Sequence, residues 1–248
     1  MKVYKNIIAG GCSFTADGIG GSPPTDASEG NCSFLSYPGI DTATPFGWAS
    51  HVAAALQPKS FVNLAGHGHG NMMTAQVIPE MFRRYRYHKD DTLVIFNLTE
   101  PERMDVACDW ASPDRSGLVG WSSEILPYTF VGPAKPVMTN LKKTMGLEQI
   151  AQTSAVAVDL LFTWLEHHNV DFLFAMMNDY TQYPVMQKTL KIPEHAVGRS
   201  NRMNHCVTFD GLYGMREYVA VKKINTGDGE HPDADGHRAI AQKFLALV

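Results

Sequence analysis

Three short stretches of this chain carry residue types that together could perform acyl transfer. In AGGCSFT, residues 9–15, Ser13 follows an apolar run and the Gly10–Gly11 pair. Glycines supply the space or the positive φ of a sharp turn, which would lift the next side chains clear of a sheet. A serine hydroxyl becomes a nucleophile only when a base takes its proton. In DGEHPDADGH, residues 228–237, Asp228 and His231 stand three apart in a Gly-rich loop. At that spacing the carboxylate can accept from one imidazole nitrogen while the other faces the serine, fixing the tautomer and stabilising the imidazolium formed on proton transfer. Pro232 stiffens the exit from His231, and Asp233 or Asp235 can cap the helix that follows. His237 competes as a base, although its place in the early turns of that helix suits packing better.

The third stretch is NLAGHGHGN, residues 63–71, with Gly66, Gly68 and Gly70. Backbone N–H groups without side chains can approach a developing oxyanion closely, and such donors contribute several kcal/mol in acyl transfer. Two other chemistries compete for it. The G-x-G-x-G run suggests phosphate binding, but it lacks a P-loop lysine and the G-x-G-x-x-G spacing. His67 and His69 offer two metal ligands with no third in view. Taken singly, each of the three stretches reads more readily as ordinary structure: a strand-end serine, a solvated polar loop, a glycine-rich connection.

Elements must bring these stretches together. Apolar runs at 3–9, 60–64, 92–98 and 170–177 predict short buried strands, the third (TLVIFNL) continuous as in a parallel sheet. Helical spacing predicts helices over 46–56, 72–86, 144–168 and 234–247. The alternation predicts an α/β fold, a three-layer α/β/α sandwich on a mostly parallel central sheet, formed as one domain over residues 1–248. Residues 16–45, 105–140 and 179–226 read as loop-rich insertions that shape a cleft. In such sheets ligands bind beyond the carboxyl ends of the strands, and each polar stretch falls just after a strand or just before the final helix.

Composition narrows the classes. With 248 residues, 44% of them hydrophobic, the chain can bury a substantial core. A net charge of −4 with no basic block gives no footprint for nucleic acid or an anionic membrane. Cys12, Cys32, Cys108 and Cys206 are scattered, with neither a C-x-x-C pair nor zinc spacing, so a reducing compartment is the default. The N-terminal apolar run is too short for a secretory leader and no run approaches the ~20 residues of a membrane span, so a cytoplasmic protein without signal peptide is expected.

The three stretches, in this order and on this alternation, resemble the SGNH (GDSL-like) hydrolase superfamily. GGCSFT resembles its first block, with Ser13 as nucleophile. NLAGHGHGN resembles its second, N-L-A-x-x-G-x-x-N, which puts the oxyanion glycine at Gly68 and closes on Asn71. DGEHP resembles its last block, D-x-x-H-P, giving Asp228 and His231. Two departures stand out. Cys12 occupies the position of the usual aspartate before the nucleophile. The third block, G-x-N-D after the third strand, is spelled FNLTEPERMD, so its asparagine position falls on Glu100. A glutamate donates to an oxyanion only when protonated. Asn97 or Asn71 is then expected to replace that donor, or the hole has two donors. Arg103, in TEPER, reads as a structural ion-pair partner ahead of a substrate-binding cation, and Asn178–Asp179 as an N-D pair after the wrong strand.

The resemblance implies a serine ester hydrolase, an esterase or carbohydrate O-deacetylase, with Ser13, Asp228 and His231 as triad. Ser13, Gly68, Asn71 and Asn97 are the candidate oxyanion donors. It implies no cofactor and no metal. The expected partner is a small ester or acetylated carbohydrate, with neither nucleic acid nor membrane. The alternative, motivated by the altered third block, is a catalytically impaired member that binds glycan or protein. Catalysis requires Ser13 Oγ and a His231 nitrogen within about 3.5 Å.

Overall fold

A computed structural model of the chain describes residues 2–15, 35–37, 47–65, 69–107, 121–124, 146–190, 202–226 and 229–248. Its centre is a five-stranded sheet. Strands β1 (Asn6–Gly10), β3 (Ser60–Asn63), β4 (Thr92–Leu98) and β7 (Asp171–Met176) run parallel in the order β3-β1-β4-β7. The strand β2 (Leu35–Tyr37) closes the β3 edge antiparallel. A separate antiparallel pair joins β5 (Met104–Ala107) to β6 (Trp121–Glu124). Among the described residues, the sheet continues beyond β7 through isolated parallel bridges, Phe174 to Cys206 and Met176 to Gly214.

The helices are α1 (Trp48–Leu56), α2 (Asn71–Tyr85), α3 (Leu147–His167), α4 (Pro184–Leu190), α5 (Met215–Lys222) and α6 (Ala234–Leu245). Helix α1 packs with α6, while α2, α3 and α4 pack together, giving helices on both sides of the sheet. The expected three-layer α/β/α sandwich is therefore the fold observed. No helix among the described residues is long and apolar enough to cross a membrane.

The sequence dictates these layers through what it buries. All seven residues of β4 are buried, Asn97 among them, as a central parallel strand covered on both faces requires. Phe96 of β4, Phe172 and Phe174 of β7 and Phe162 of α3 form one aromatic cluster, with centroid separations of 4.9 to 6.4 Å. On the other side, Trp48 stacks on Phe244 at 4.2 Å and 18°. The buried Arg202 ties α3 to its neighbours, donating to Glu166, Asp159 and the Thr189 carbonyl.

The four predicted strands and four predicted helices all form, with ends shifted by up to three residues. The insertions hold more structure than a loop reading allowed. Residues 35–37 are an edge strand, 105–140 contributes to the β5–β6 pair, and 179–226 contains α4 and α5. These elements have three to eight residues, too few turns or alternations for a periodic signal to emerge.

His237 illustrates how packing assigns a polar residue. It is buried in α6, and its Nδ1 accepts the Trp48 backbone N–H at 3.2 Å. That N–H starts α1, whose N-cap Gly47 offers no side-chain acceptor, so His237 acts as a cap supplied from the neighbouring helix. His237→Ala should lower stability by about 1–2 kcal/mol in urea denaturation. A wild-type midpoint would contradict this assignment.

Candidate active site

The carboxyl ends of β1 and β4 flank the point where the chain order across the sheet reverses. From β1 the chain crosses to β3 on one side, then returns past β1 to β4 on the other. Crevices open at such points. There β1 ends in a tight turn, Cys12 to Thr15, closed by Thr15 N–H donating to the Cys12 carbonyl at 2.9 Å.

Two features force this turn. Gly11 has φ of +131°, and a Cβ there would overlap Asn97 Oδ1. Asn97 projects from β4 to the space so kept open. Its Oδ1 accepts the Cys12 N–H at 3.1 Å and the Thr15 hydroxyl at 2.5 Å, and its Nδ2 donates to Cys12 Sγ and to the Leu98 carbonyl, both at 3.3 Å. From β3, Asn63 Nδ2 donates to the Thr15 carbonyl at 3.0 Å. Ser13 is thus fixed by side chains from both neighbouring strands and is only 5% exposed.

His231 arrives from the far end of the chain. Ser13 Oγ and His231 Nε2 are 2.9 Å apart, although the residues stand 218 positions apart in sequence. The imidazole lies beside Phe14, ring centroids 5.0 Å apart. Its backbone is held in a short ladder: Thr226 N–H donates to the His231 carbonyl at 2.8 Å, Asn225 bridges to Pro232, and Asp233 N–H donates to the Ile224 carbonyl at 3.0 Å. Asp233 then caps α6, accepting from Gly236 N–H at 2.8 Å. Asp235 instead pairs with Arg238. Asp228 and Gly68, expected as triad acid and oxyanion glycine, lie outside the described residues, as does His67.

The two asparagines expected as oxyanion donors are engaged elsewhere. Both Asn71 Nδ2 protons have acceptors, the Thr99 carbonyl at 3.1 Å and Ser154 Oγ at 2.9 Å, and its Oδ1 accepts Thr99 N–H at 2.9 Å. Asn71 thereby joins the start of α2 to the end of β4. Asn97 holds the Ser13 turn. In this structure the amide protons of both asparagines have partners on backbone and neighbouring side chains, so each braces the segments it joins.

The altered third block has a different place. Glu100 pairs with Arg103 at 2.5 Å in largely buried surroundings and lies 3.9 Å from Arg216, which in turn pairs with Glu230 beside His231. Burial, with the Glu100 charge adding, holds the Tyr180 phenol well above its usual pKa, so this hydroxyl stays protonated. Asp179 closes a local turn, accepting from Thr181 N–H at 2.9 Å. Asp105, which the sequence did not single out, accepts Gly70 N–H and Met73 N–H, each at 2.8 Å. The available signal was the start of α2: its N-cap is Gly70, which has no side chain, so the exposed N–H groups need a cap from another segment.

No protein-family profile matches the chain, nor does any curated protein. Among solved structures, a catalytic mutant of an acetylxylan esterase from Geobacillus stearothermophilus aligns over 100% of this chain and 96% of its own, at 12% identity and a TM-score of 0.49. A lipase from a goat rumen metagenome aligns over 98% and 96%, at 12% identity and a TM-score of 0.39. A member of the lipolytic G-D-S-L family from Veillonella parvula aligns over 97% and 96%, at 12% identity and a TM-score of 0.40. At these identities and scores, the chemistry of the chain has to be argued from its own geometry.

Gly11→Ala tests the turn. Forcing a Cβ into Asn97 at positive φ should destabilise the protein by about 2 kcal/mol or more, read as a lowered urea midpoint. Unchanged stability would mean that the turn does not depend on this glycine.

Proposed function

We propose that the protein is a serine ester hydrolase of the SGNH (GDSL-like) superfamily, acting through an acyl-enzyme. The observation that carries this reading is the 2.9 Å approach of Ser13 Oγ to His231 Nε2 at the carboxyl end of a parallel sheet. A hydroxyl and an imidazole brought together from opposite ends of a chain, each in a backbone frame that fixes it, form the nucleophile–base unit of acyl transfer.

His231 accepting at Nε2 carries its own ring proton on Nδ1, and we assign Asp228 as the acceptor of that proton. Ser13 Oγ attacks the ester carbonyl carbon while its proton passes to Nε2. The carbonyl oxygen becomes an oxyanion, for which we assign two backbone donors, the N–H groups of Ser13 and Gly68. The tetrahedral intermediate collapses, the C–O bond to the alcohol breaks, and the imidazolium returns the proton to the departing oxygen. Water, deprotonated by His231, then releases the acid and restores Ser13.

The burial of Ser13 favours a small acyl group, and an acetyl ester on a carbohydrate is the substrate class we assign. No cofactor enters this cycle.

The test is hydrolysis of p-nitrophenyl esters of increasing chain length. Ser13→Ala and His231→Ala should each lower kcat by at least about 1,000-fold, and acetate should be preferred over octanoate. Equal rates for wild type and Ser13→Ala would remove Ser13 as nucleophile and favour a binding role for the cleft.

A further inference from the structure

We infer that Phe14 is a positioning residue for the base: its phenyl ring sets the plane of the His231 imidazole toward Ser13 and favours the imidazolium formed when the serine proton is taken. The inference rests on the hydrolase reading and deepens it.

The geometry comes from one tight turn. Thr15 N–H closes it on the Cys12 carbonyl at 2.9 Å, so Ser13 and Phe14 are its two central residues. Both side chains reach the same imidazole. Ser13 Oγ lies 2.9 Å from Nε2, and the Phe14 ring centroid lies 5.0 Å from that of His231, with the planes inclined at 34°. Rings this close and this far from perpendicular meet as an offset stack, face against face. A hydrogen bond to Nε2 lies near the imidazole plane, along the nitrogen lone pair. The stack sets that plane, so Phe14 aims the lone pair that Ser13 uses.

Phe14 can do this because it is itself fixed. It is buried in the main core, and its turn is braced by Asn97 from β4 and Asn63 from β3. His231 is only partly buried, on a loop, where a side chain without a packed neighbour turns freely about its bonds. Glu230, the residue before it, is engaged by Arg216. Phe14 thus gives a rigid surface to a ring carried by a loop.

The contact also bears on charge. When Ser13 Oγ attacks, its proton passes to Nε2 and the imidazole becomes an imidazolium. An aromatic ring carries negative potential over its faces, and a cation within about 6 Å of its centroid is attracted, more strongly where water is excluded. The neutral imidazole gains much less from the same contact. The interaction is therefore stronger in the transition state than in the ground state, which is the condition for raising kcat. Acylation and deacylation both pass through the imidazolium, so both are favoured. An aliphatic side chain could fill the same space in the core but has no such face.

The experiment replaces Phe14 in the intact protein by mono-, di- and trifluorophenylalanine and by para-methylphenylalanine, alongside Phe14→Leu. Hydrolysis of p-nitrophenyl acetate and urea stability are measured on each. Fluorine withdraws electron density from the ring face while nearly keeping the ring's shape. The kcat should fall stepwise with the number of fluorines, ~3- to 30-fold at the trifluoro ring, while KM changes less than about twofold and the urea midpoint holds. The methyl variant, larger but electron-rich, should keep the wild-type kcat. Phe14→Leu loses both the stack and the charge stabilisation, so kcat should fall ~10-fold or more. A kcat that stays flat across the fluorinated series overturns the proposal even where Phe14→Leu is slow, because the ring then acts through packing alone. Rates that follow ring size instead of ring electronics overturn it as well. If hydrolysis depends on Ser13 but ignores the fluorines, this proposal alone fails. If wild type and Ser13→Ala hydrolyse alike, the hydrolase reading fails and takes this proposal with it.

Discussion

The side chain of Asn97 is the fixed point on which the site depends. It is a polar residue in the middle of a buried strand, and a buried amide must find hydrogen-bond partners or destabilise the fold. It finds them in the turn that carries Ser13: one oxygen accepts both the Cys12 N–H and the Thr15 hydroxyl. The requirement is mutual. The turn needs an acceptor for those donors, the amide needs the donors, and the space between them exists because residue 11 has no side chain. With β1 and β4 as neighbours in the sheet, this contact sets the turn from which Ser13 meets His231.

Each of the three loops at this end of the sheet is held by polar contacts to other elements. The Ser13 turn is held from β4 and β3, the His231 loop by its ladder and by the capped start of α6, and the Gly70 peptide by Arg103 and Asp105. Alternating charges, Arg103, Glu100, Arg216 and Glu230, run from the glycine loop to the residue next to His231. The first pair is largely buried and its partners depend on each other. The last is solvent-exposed, where such pairs contribute little to stability, and it joins the loops without setting their energy. Arrangement of this kind suits acyl transfer, in which the protein gains most by holding donors and a base in place before charge develops.

Much of this was legible in the sequence because it is written locally. A continuous apolar run gave 92–98 its strand, and Gly10–Gly11 before Ser13 gave the turn its glycines. The D-x-x-H-P stretch before a helical pattern put His231 at a loop–helix junction. What escaped was contact between distant segments. Asp105 meets Gly70 across 35 residues, and Asn97 meets Cys12 across 85. No spacing rule connects such pairs. The polar identity of Asn97 within TLVIFNL was visible, but its partners depend on which strands are neighbours. Motif comparison placed Glu100 at the third-block donor position, but its pairing with Arg103 three residues on, and the contact of Arg103 with the His69 carbonyl, arise only once the fold brings these segments together.

The central claim is that Ser13 is a nucleophile whose proton goes to His231. The most direct measurement is labelling of the intact protein with a fluorophosphonate, followed by peptide mapping. Attack by Ser13 Oγ on phosphorus expels fluoride and leaves one covalent adduct. The account predicts a single adduct on the peptide containing Ser13, formed far more slowly in His231→Ala. Wild-type protein that stays unmodified, or that carries the adduct on another residue, would contradict it.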